Sequence, residues 1–297
     1  MAGRKFPGVP RGATRAAPTS TPLVELPEIE VLESSDASPS VLLIGGSGTG
    51  KTFSIGKLLE AGLRGLILAI EPKLQTIARY KPSAIYIHAP VKSADGTHRP
   101  PTIDEKYHRL LAFGDALEKG KYRVDKDGVP FDFIAIDGLL EMGDLIYSYW
   151  KKKKPVSDST GKQNTYGMWD EIADRSIDLF KRFQQAAGLV SKELGLVPIP
   201  LIATIGEQMI EGRSGEVKYV ALYPGQKAPK NLPYNFECVI RLSTRSVGGV
   251  YEFVAHTVGS EEFFAKCPSG IFEPEEINPD FAVMFSKIMT AMRVVST

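Results

Sequence analysis

Short apolar runs alternate with amphipathic stretches through the first 200 residues of the chain. Val41–Ile44, Leu66–Ile70, Ala84–His88, Phe131–Ile136 and Ile199–Ile205 are brief and nearly continuous in apolar character. Such runs predict strands buried on both faces. Between them, Lys51 to about Gly62, Thr102 to about Leu117, Leu139 to about Trp150 and Trp169 to about Leu194 predict helices. Thr102 and Glu105 form the T-x-x-E signature of a capped helix start. Ile172, Ile177, Phe180 and Phe183 set the apolar stripe of the longest helix. Strand–helix alternation of this kind predicts an α/β fold, a mostly parallel sheet flanked by helices. After residue 207 the strand-like runs are Val217–Leu222, Cys238–Leu242 and Val250–His256, read as an antiparallel extension of one edge. Asp280–Arg293 predicts a last helix.

The pattern divides the chain into an N-terminal arm (1–37), a main domain (38–275) and a C-terminal helix or tail (276–297). Residues 1–22 are rich in Pro, Gly, Ala, Ser and Thr, and carry Arg4, Lys5, Arg11 and Arg15. They have little apolar surface to offset ordering entropy, so the arm is read as disordered. It turns acidic over 23–37, with a short edge strand expected at Ile29–Leu32. No run of about 18 uncharged apolar residues occurs, so no membrane-spanning helix is expected. The arm lacks the apolar segment of a secretory signal, and two cysteines, Cys238 and Cys267, are too few for a disulfide scaffold. Both features fit free thiols in a cytoplasmic, reducing compartment. Lys+Arg 36 against Asp+Glu 35 leaves a net charge of +1, so attraction to nucleic acid must come from local patches.

The strongest chemical signal is Gly45-Gly46-Ser47-Gly48-Thr49-Gly50-Lys51-Thr52, which matches G-x-x-x-x-G-K-[ST]. It directly follows one predicted strand and opens one predicted helix, the context a phosphate-binding loop requires. The glycines let successive N–H groups converge on an anion, and the helix N-terminus adds partial positive charge. In such loops the lysine, here Lys51, reaches the β- and γ-phosphates, and the hydroxyl of Thr52 ligates Mg²⁺. Ile134-Ala135-Ile136-Asp137 has the Walker B form, placing Asp137 at the carboxyl edge of the sheet to hold Mg²⁺ through water. ATP and Mg²⁺ are therefore the expected ligands. The chain has no Asn-Lys-x-Asp guanine reader.

A base for water activation is less obvious. Gly138 follows Asp137, so no glutamate stands in that position. Glu71, at the end of Leu66–Ile70, is assigned as the base, on the expectation that its strand lies beside the P-loop strand. Glu141 is the alternative.

The stretches Leu43–Thr52, Ala69–Glu71, Ile134–Asp137, Trp169–Gln184, Ile202–Gln208 and Leu232–Leu242 resemble the RecA-like P-loop ATPases encoded by bacteriophages. These are AAA-type nucleotide-binding proteins that include single-strand-annealing recombinases of the Sak type. The resemblance implies a RecA-like core, ATP hydrolysis, and a role in DNA recombination, annealing or replication in the host cytoplasm. It further implies single-stranded DNA as partner, self-association into a ring or filament, a single-strand-binding protein as a further partner, and no membrane. By position, Thr204 or Gln208 would sense the γ-phosphate. Lys266 would act in trans on a neighbouring subunit, with Arg241 or Arg245 next. Gly206 and Pro268 stand where the family often has His and Arg. DNA would meet two segments: Lys151–Tyr166, with Lys151, Lys152, Lys153, Lys154 and Lys162 between Trp150 and Tyr166, and Glu207–Tyr219, with Arg213 and Lys218. Two other functions fit the same motifs: a replication or packaging motor acting on duplex DNA or protein, and a nucleotide-gated scaffold that does not hydrolyse ATP.

Overall fold

The computed structural model describes residues 39–72, 75–153, 165–189, 197–212, 214–225 and 227–294. The N-terminal arm and its expected edge strand, Lys154, Lys162 and Arg213 lie outside these residues. Strand β1 (Ser40–Gly45) leads into α1 (Lys51–Glu60), β2 (Gly65–Ala69), the short α2 (Gln75–Ala78) and β3 (Ser83–Tyr86). A small hairpin, β4 (Val91–Lys92) and β5 (His98–Arg99), precedes α3 (Ile103–Glu118). Then come β6 (Phe133–Asp137), α4 (Leu139–Lys153), α5 (Thr165–Gly188) and β7 (Leu201–Ile205). A second hairpin joins β8 (Glu207–Glu211) to β9 (Val217–Ala221). Helix α6 (Lys227–Asn231) and a 3-10 turn (Leu232–Asn235) lead to β10 (Cys238–Val247), β11 (Val250–His256), β12 (Glu275–Ile277) and α7 (Phe281–Val294).

The central sheet has eight strands in the order β12-β11-β10-β1-β7-β6-β2-β3. From β10 to β3 every neighbouring pair is parallel, and β11 and β12 add an antiparallel edge. The α/β architecture expected from the sequence is therefore present, with three corrections. The run Cys238–Leu242 is parallel to β1, because the chain crosses over through α6 before it enters the sheet. The run from Val217 leaves the main sheet and pairs with β8 instead. Strand β2 does not lie beside β1: β7 and β6 stand between them.

Side chains on the parallel strands alternate between two cores, as the two-residue strand period demands. Leu42, Ile44, Leu68, Ile70, Ile134 and Ile136 pack with α3, α4 and α5. Val41, Leu43, Ile67, Ala69, Ala135 and Ile202 pack on the other face with Ile55 and Leu58 of α1 and with Phe281, Phe285 and Ile288 of α7. The C-terminal helix thus shares a core with the P-loop helix.

Helix α3 starts where the sequence indicates. The Thr102 hydroxyl accepts from the Glu105 N–H at 3.3 Å, and the Thr102 N–H donates to the Glu105 carboxylate at 2.8 Å. Helix α4 runs further than expected and takes in Lys151–Lys153. Lysines have good helix propensity, and cations at a helix C-terminus oppose its dipole. The C-terminal carbonyls of α5 are held by Arg123, a buried residue that the sequence pattern did not mark. Its guanidinium donates to the carbonyls of Ala187 and Val197, each at 3.0 Å, and to that of Ala186. Arg123→Ala strands these carbonyls without a donor. Urea unfolding should show a loss of about 2–3 kcal/mol, the scale of a broken buried charge-assisted network.

Candidate functional site

The Gly45–Thr52 loop links the central strand β1 to α1 and is shaped by close approaches. A Cβ on Gly45 would come 2.4 Å from the Leu242 carbonyl of β10 and 2.5 Å from the Thr49 hydroxyl, so only glycine fits. Gly48 and Gly50 take φ of 80° and 94°, in the left-handed region that side-chain-bearing residues avoid. The Thr49 hydroxyl closes the turn by donating to the Gly46 carbonyl at 2.9 Å. Helix α1 then starts with no side-chain cap, leaving its leading N–H groups for a ligand.

Lys51 folds back across this loop. Its ammonium donates to the carbonyls of Gly45 and Gly46, each at 2.7 Å. Burial pulls its pKa down, while Glu71, Asp137, Glu207 and Glu141 oppose that shift. The lysine that would meet a triphosphate is thus already ringed by carboxylates, of which Glu71 is electrostatically the strongest.

Asp137 ends β6 and is 2% exposed. Its carboxylate accepts from Thr52 Oγ1 at 3.1 Å and from Thr204 Oγ1 at 2.8 Å. Thr204 in turn accepts from the Gly138 N–H at 3.0 Å. Burial raises the Asp137 pKa, and the two hydroxyls and Lys51 work against that rise. The strand order accounts for this cluster. β1, β7 and β6 are neighbours, so the P-loop, Thr204 and Asp137 emerge side by side at one edge of the sheet. Thr52 and Asp137 are hard oxygen donors of the type Mg²⁺ selects, so the site fits that ion.

Glu71 reaches the same place by a different route from the one expected. It follows β2, whose end is tied to β6: the N–H groups of Ile70 and Glu71 donate to the Asp137 carbonyl at 3.0 and 3.3 Å. Gly138, with φ of 106°, makes room for this crossing. A Cβ there would sit 3.0 Å from the Glu71 nitrogen and 2.8 Å from a carboxylate oxygen of Glu141. A side chain after Asp137 would thus be strained by this φ and crowded by Glu71, and two glutamates from elsewhere line this space. Glu141, in the first turn of α4, has its pKa raised by burial and then by Asp137 and Asp144. A cavity of about 220 Å³ is lined by Ser47, Lys51, Glu71, Glu141, Thr204 and Glu207.

A second cavity, of about 480 Å³, is lined by Ser47, Gly48, Gly50, Lys51, Thr52, Glu71, Thr76 and Thr204, with Phe53 and Phe253. The two phenylalanines escaped the sequence reading. Phe53 is the residue after Thr52 and was legible; Phe253 comes from β11, far along the chain, and no local signal places it there. Its ring lies 3.8 Å from where a Gly50 Cβ would be.

Other named residues lie apart from this cluster. Gln208 pairs with Val220 in the β8–β9 hairpin; its neighbour Glu207 is the residue that lines the cavity. The Lys266 amine reaches the Tyr234 carbonyl at 3.4 Å. Arg241 is 8% exposed and forms a paired contact with Glu207 at 2.8 and 3.2 Å, so its guanidinium is already engaged within the chain. Arg245 is bound to Glu252 at 2.9 Å. Lys151, Lys152 and Lys153 are exposed on the last turn of α4, with Lys152 and Lys153 each 3.6 Å from Asp104. Trp150, expected to flank a DNA loop, is half-buried under the Arg175 guanidinium, 3.8 Å from its ring centre. Lys218 is exposed on β9.

Residues 37–269 match the family described as AAA domain, and the chain belongs to it. It is an ATPase-type P-loop domain. Solved structures with a similar fold include the flagellar accessory protein FlaH from Methanocaldococcus jannaschii, at 11% identity and a TM-score of 0.38, over 81% of this chain and 84% of that one. A KaiC-like protein from Pyrococcus horikoshii OT3 aligns at 12% identity and a TM-score of 0.36, over 74% of this chain and 79% of that one. The ATPase EscN of the enteropathogenic E. coli type III secretion system aligns at 13% identity and a TM-score of 0.42, over 69% of this chain and 43% of its own. No curated protein matches in sequence. Among the described residues, no helix is long and apolar enough to cross a membrane.

Thr204→Val removes the hydroxyl that joins Asp137 to the Gly138 amide. Titration with Mg·ATP should show affinity weakened about tenfold, the equivalent of one lost charge-assisted hydrogen bond, and Thr204→Ser should retain it.

Proposed function

We propose that the chain is a Mg²⁺-dependent ATPase with a RecA-like core that works on single-stranded DNA in recombination, annealing or replication. The observation that carries the ATPase reading is the convergence of Lys51, Thr52, Glu71, Asp137 and Thr204 on one side of a glycine-cradled cavity. A triphosphate would lie along the α1 N-terminus, drawing Lys51 from the loop carbonyls onto the β- and γ-phosphate oxygens. Thr52 directly, and Asp137 through water, would hold Mg²⁺, which when bound neutralises phosphate charge. Glu71 would orient a water against the γ-phosphorus and accept its proton. The water oxygen bonds to phosphorus, the bridging oxygen leaves with ADP, and Lys51 stabilises the charge that develops. The base of the nucleotide would rest on the Phe253 ring, which lines the cavity together with Phe53.

Single-stranded DNA, a viral source and assembly into a ring or filament rest on the sequence resemblance. The exposed lysines at the end of α4 and Lys218 on β9 are the cations offered for phosphate contact. They lie on a helix end and a hairpin rather than on two open loops.

Glu71→Gln should abolish ATP turnover in a phosphate-release assay and leave Mg·ATP affinity within about twofold, whereas Glu141→Gln should retain measurable turnover. Unchanged turnover in Glu71→Gln would remove its role as base. Adding single-stranded DNA to the wild type should raise turnover strongly. Stimulation only by duplex DNA or a protein would favour a motor, and absence of turnover a binding scaffold. Phe253→Ala should weaken ATP about tenfold or more, the worth of one stacked base, without changing the affinity for inorganic tripolyphosphate.

A further inference from the structure

We propose that Cys238 and Cys267 form a modification site, at which low-molecular-weight disulfides convert the two thiols into an intramolecular disulfide that fastens the segment around 267 to β10. They are the chain's 2 cysteines, and the sheet register sets them opposite one another. Strand β11 pairs with β10 only from Arg241 onward. The first residues of β10 are flanked instead by the returning segment, through an antiparallel bridge between Val239 and Lys266. Both hydrogen bonds of that bridge are made: Val239 N–H to the Lys266 carbonyl at 2.6 Å, and Lys266 N–H to the Val239 carbonyl at 2.9 Å. One step along, this register sets Cys238 opposite Cys267 at a non-hydrogen-bonded position.

Such positions bring Cα atoms to about 4.5 Å. That lies within the range of about 4.4–6.8 Å that a disulfide spans. Both side chains pack into the core on the α1 and α7 face, so they lie on the same side of the sheet. The neighbouring Cys267 thiol and burial push the Cys238 thiol up. Cys238 is buried and Cys267 is half-buried, which fixes the order of events. The Cys267 thiolate attacks one sulfur of the external disulfide, forming a mixed disulfide and releasing one thiol. The Cys238 thiolate then attacks the Cys267 sulfur and displaces the second. The protein loses two protons and two electrons, and the external disulfide is reduced to two thiols.

The consequence falls on a functional wall. The same returning segment carries Phe263, whose ring centre is 4.7 Å from the Arg241 guanidinium. Arg241 is paired with Glu207, which lines the cavity beside Lys51. Oxidation would hold this wall in one position, whatever the chain does with ATP.

The test uses the full chain, freed of reductant and incubated with oxidised glutathione, then read by intact mass and thiol alkylation. The expected product is a monomer lighter by two hydrogens, with neither thiol alkylated and a peptide pair linking Cys238 to Cys267. Cys238→Ser, or Cys238→Ala if the serine does not fold, should stop at a glutathione adduct on Cys267. A wild-type chain that ends as the Cys267 adduct, pairs with a second chain, or keeps both thiols alkylatable would overturn the assignment.

Discussion

The site depends on a carboxylate held where water barely reaches. Asp137 is 2% exposed, and a charge so placed is tolerated only when its oxygens are occupied by donors. Thr52 comes from the phosphate loop, Thr204 from the adjacent strand, and Lys51 adds a nearby cation. Lys51 and Thr52 share the phosphate loop and Thr204 lies on β7, so the carboxylate at the end of β6 is the point at which these three segments meet. Burial raises its pKa, and the two hydroxyls and Lys51 oppose that rise. Under the proposed function, a divalent cation would supply compensating charge at this point.

The sheet order makes this possible. In a parallel sheet all strands end at the same edge, and the loops there can converge. β1, β7 and β6 deliver the loop, Thr204 and Asp137 in sequence across that edge. Glu71 arrives from one strand further out because the end of β2 is tied to the Asp137 carbonyl. Gly138 eases that arrangement, since its φ of 106° is one that side-chain-bearing residues avoid and a Cβ would crowd the Glu71 nitrogen at 3.0 Å. On the other flank, Arg241 of β10 meets Glu207 between the rings of Tyr219 and Phe263, joining the hairpin to the sheet at the same edge.

Much of this was legible because local chemistry announced it. The glycine-rich loop must turn with positive φ, the apolar strands must be buried, and Thr102 with Glu105 must cap a helix; each is a short-range constraint. Strand order is not. No residue in Leu66–Ile70 says which strand lies beside it, and so the neighbour of β2 was misjudged while the assignment of Glu71 to this edge was not affected. The direction of β10 depends on the crossover through α6, a long-range feature. The end of α4 was misplaced for a different reason: a lysine run reads as loop by polarity, yet lysines are good helix formers and suit a helix C-terminus. Phe253 and Arg123 were invisible because their partners lie far away in sequence.

Calorimetric titration of the full-length chain with ATP, with Mg²⁺ and again with the metal chelated, addresses the buried carboxylate and its loop together. Saturable heat at one nucleotide per chain, weakened when the metal is removed and lost in Lys51→Ala, is the predicted result. No heat of association in the presence of Mg²⁺, or binding indifferent to both the metal and Lys51, would contradict it.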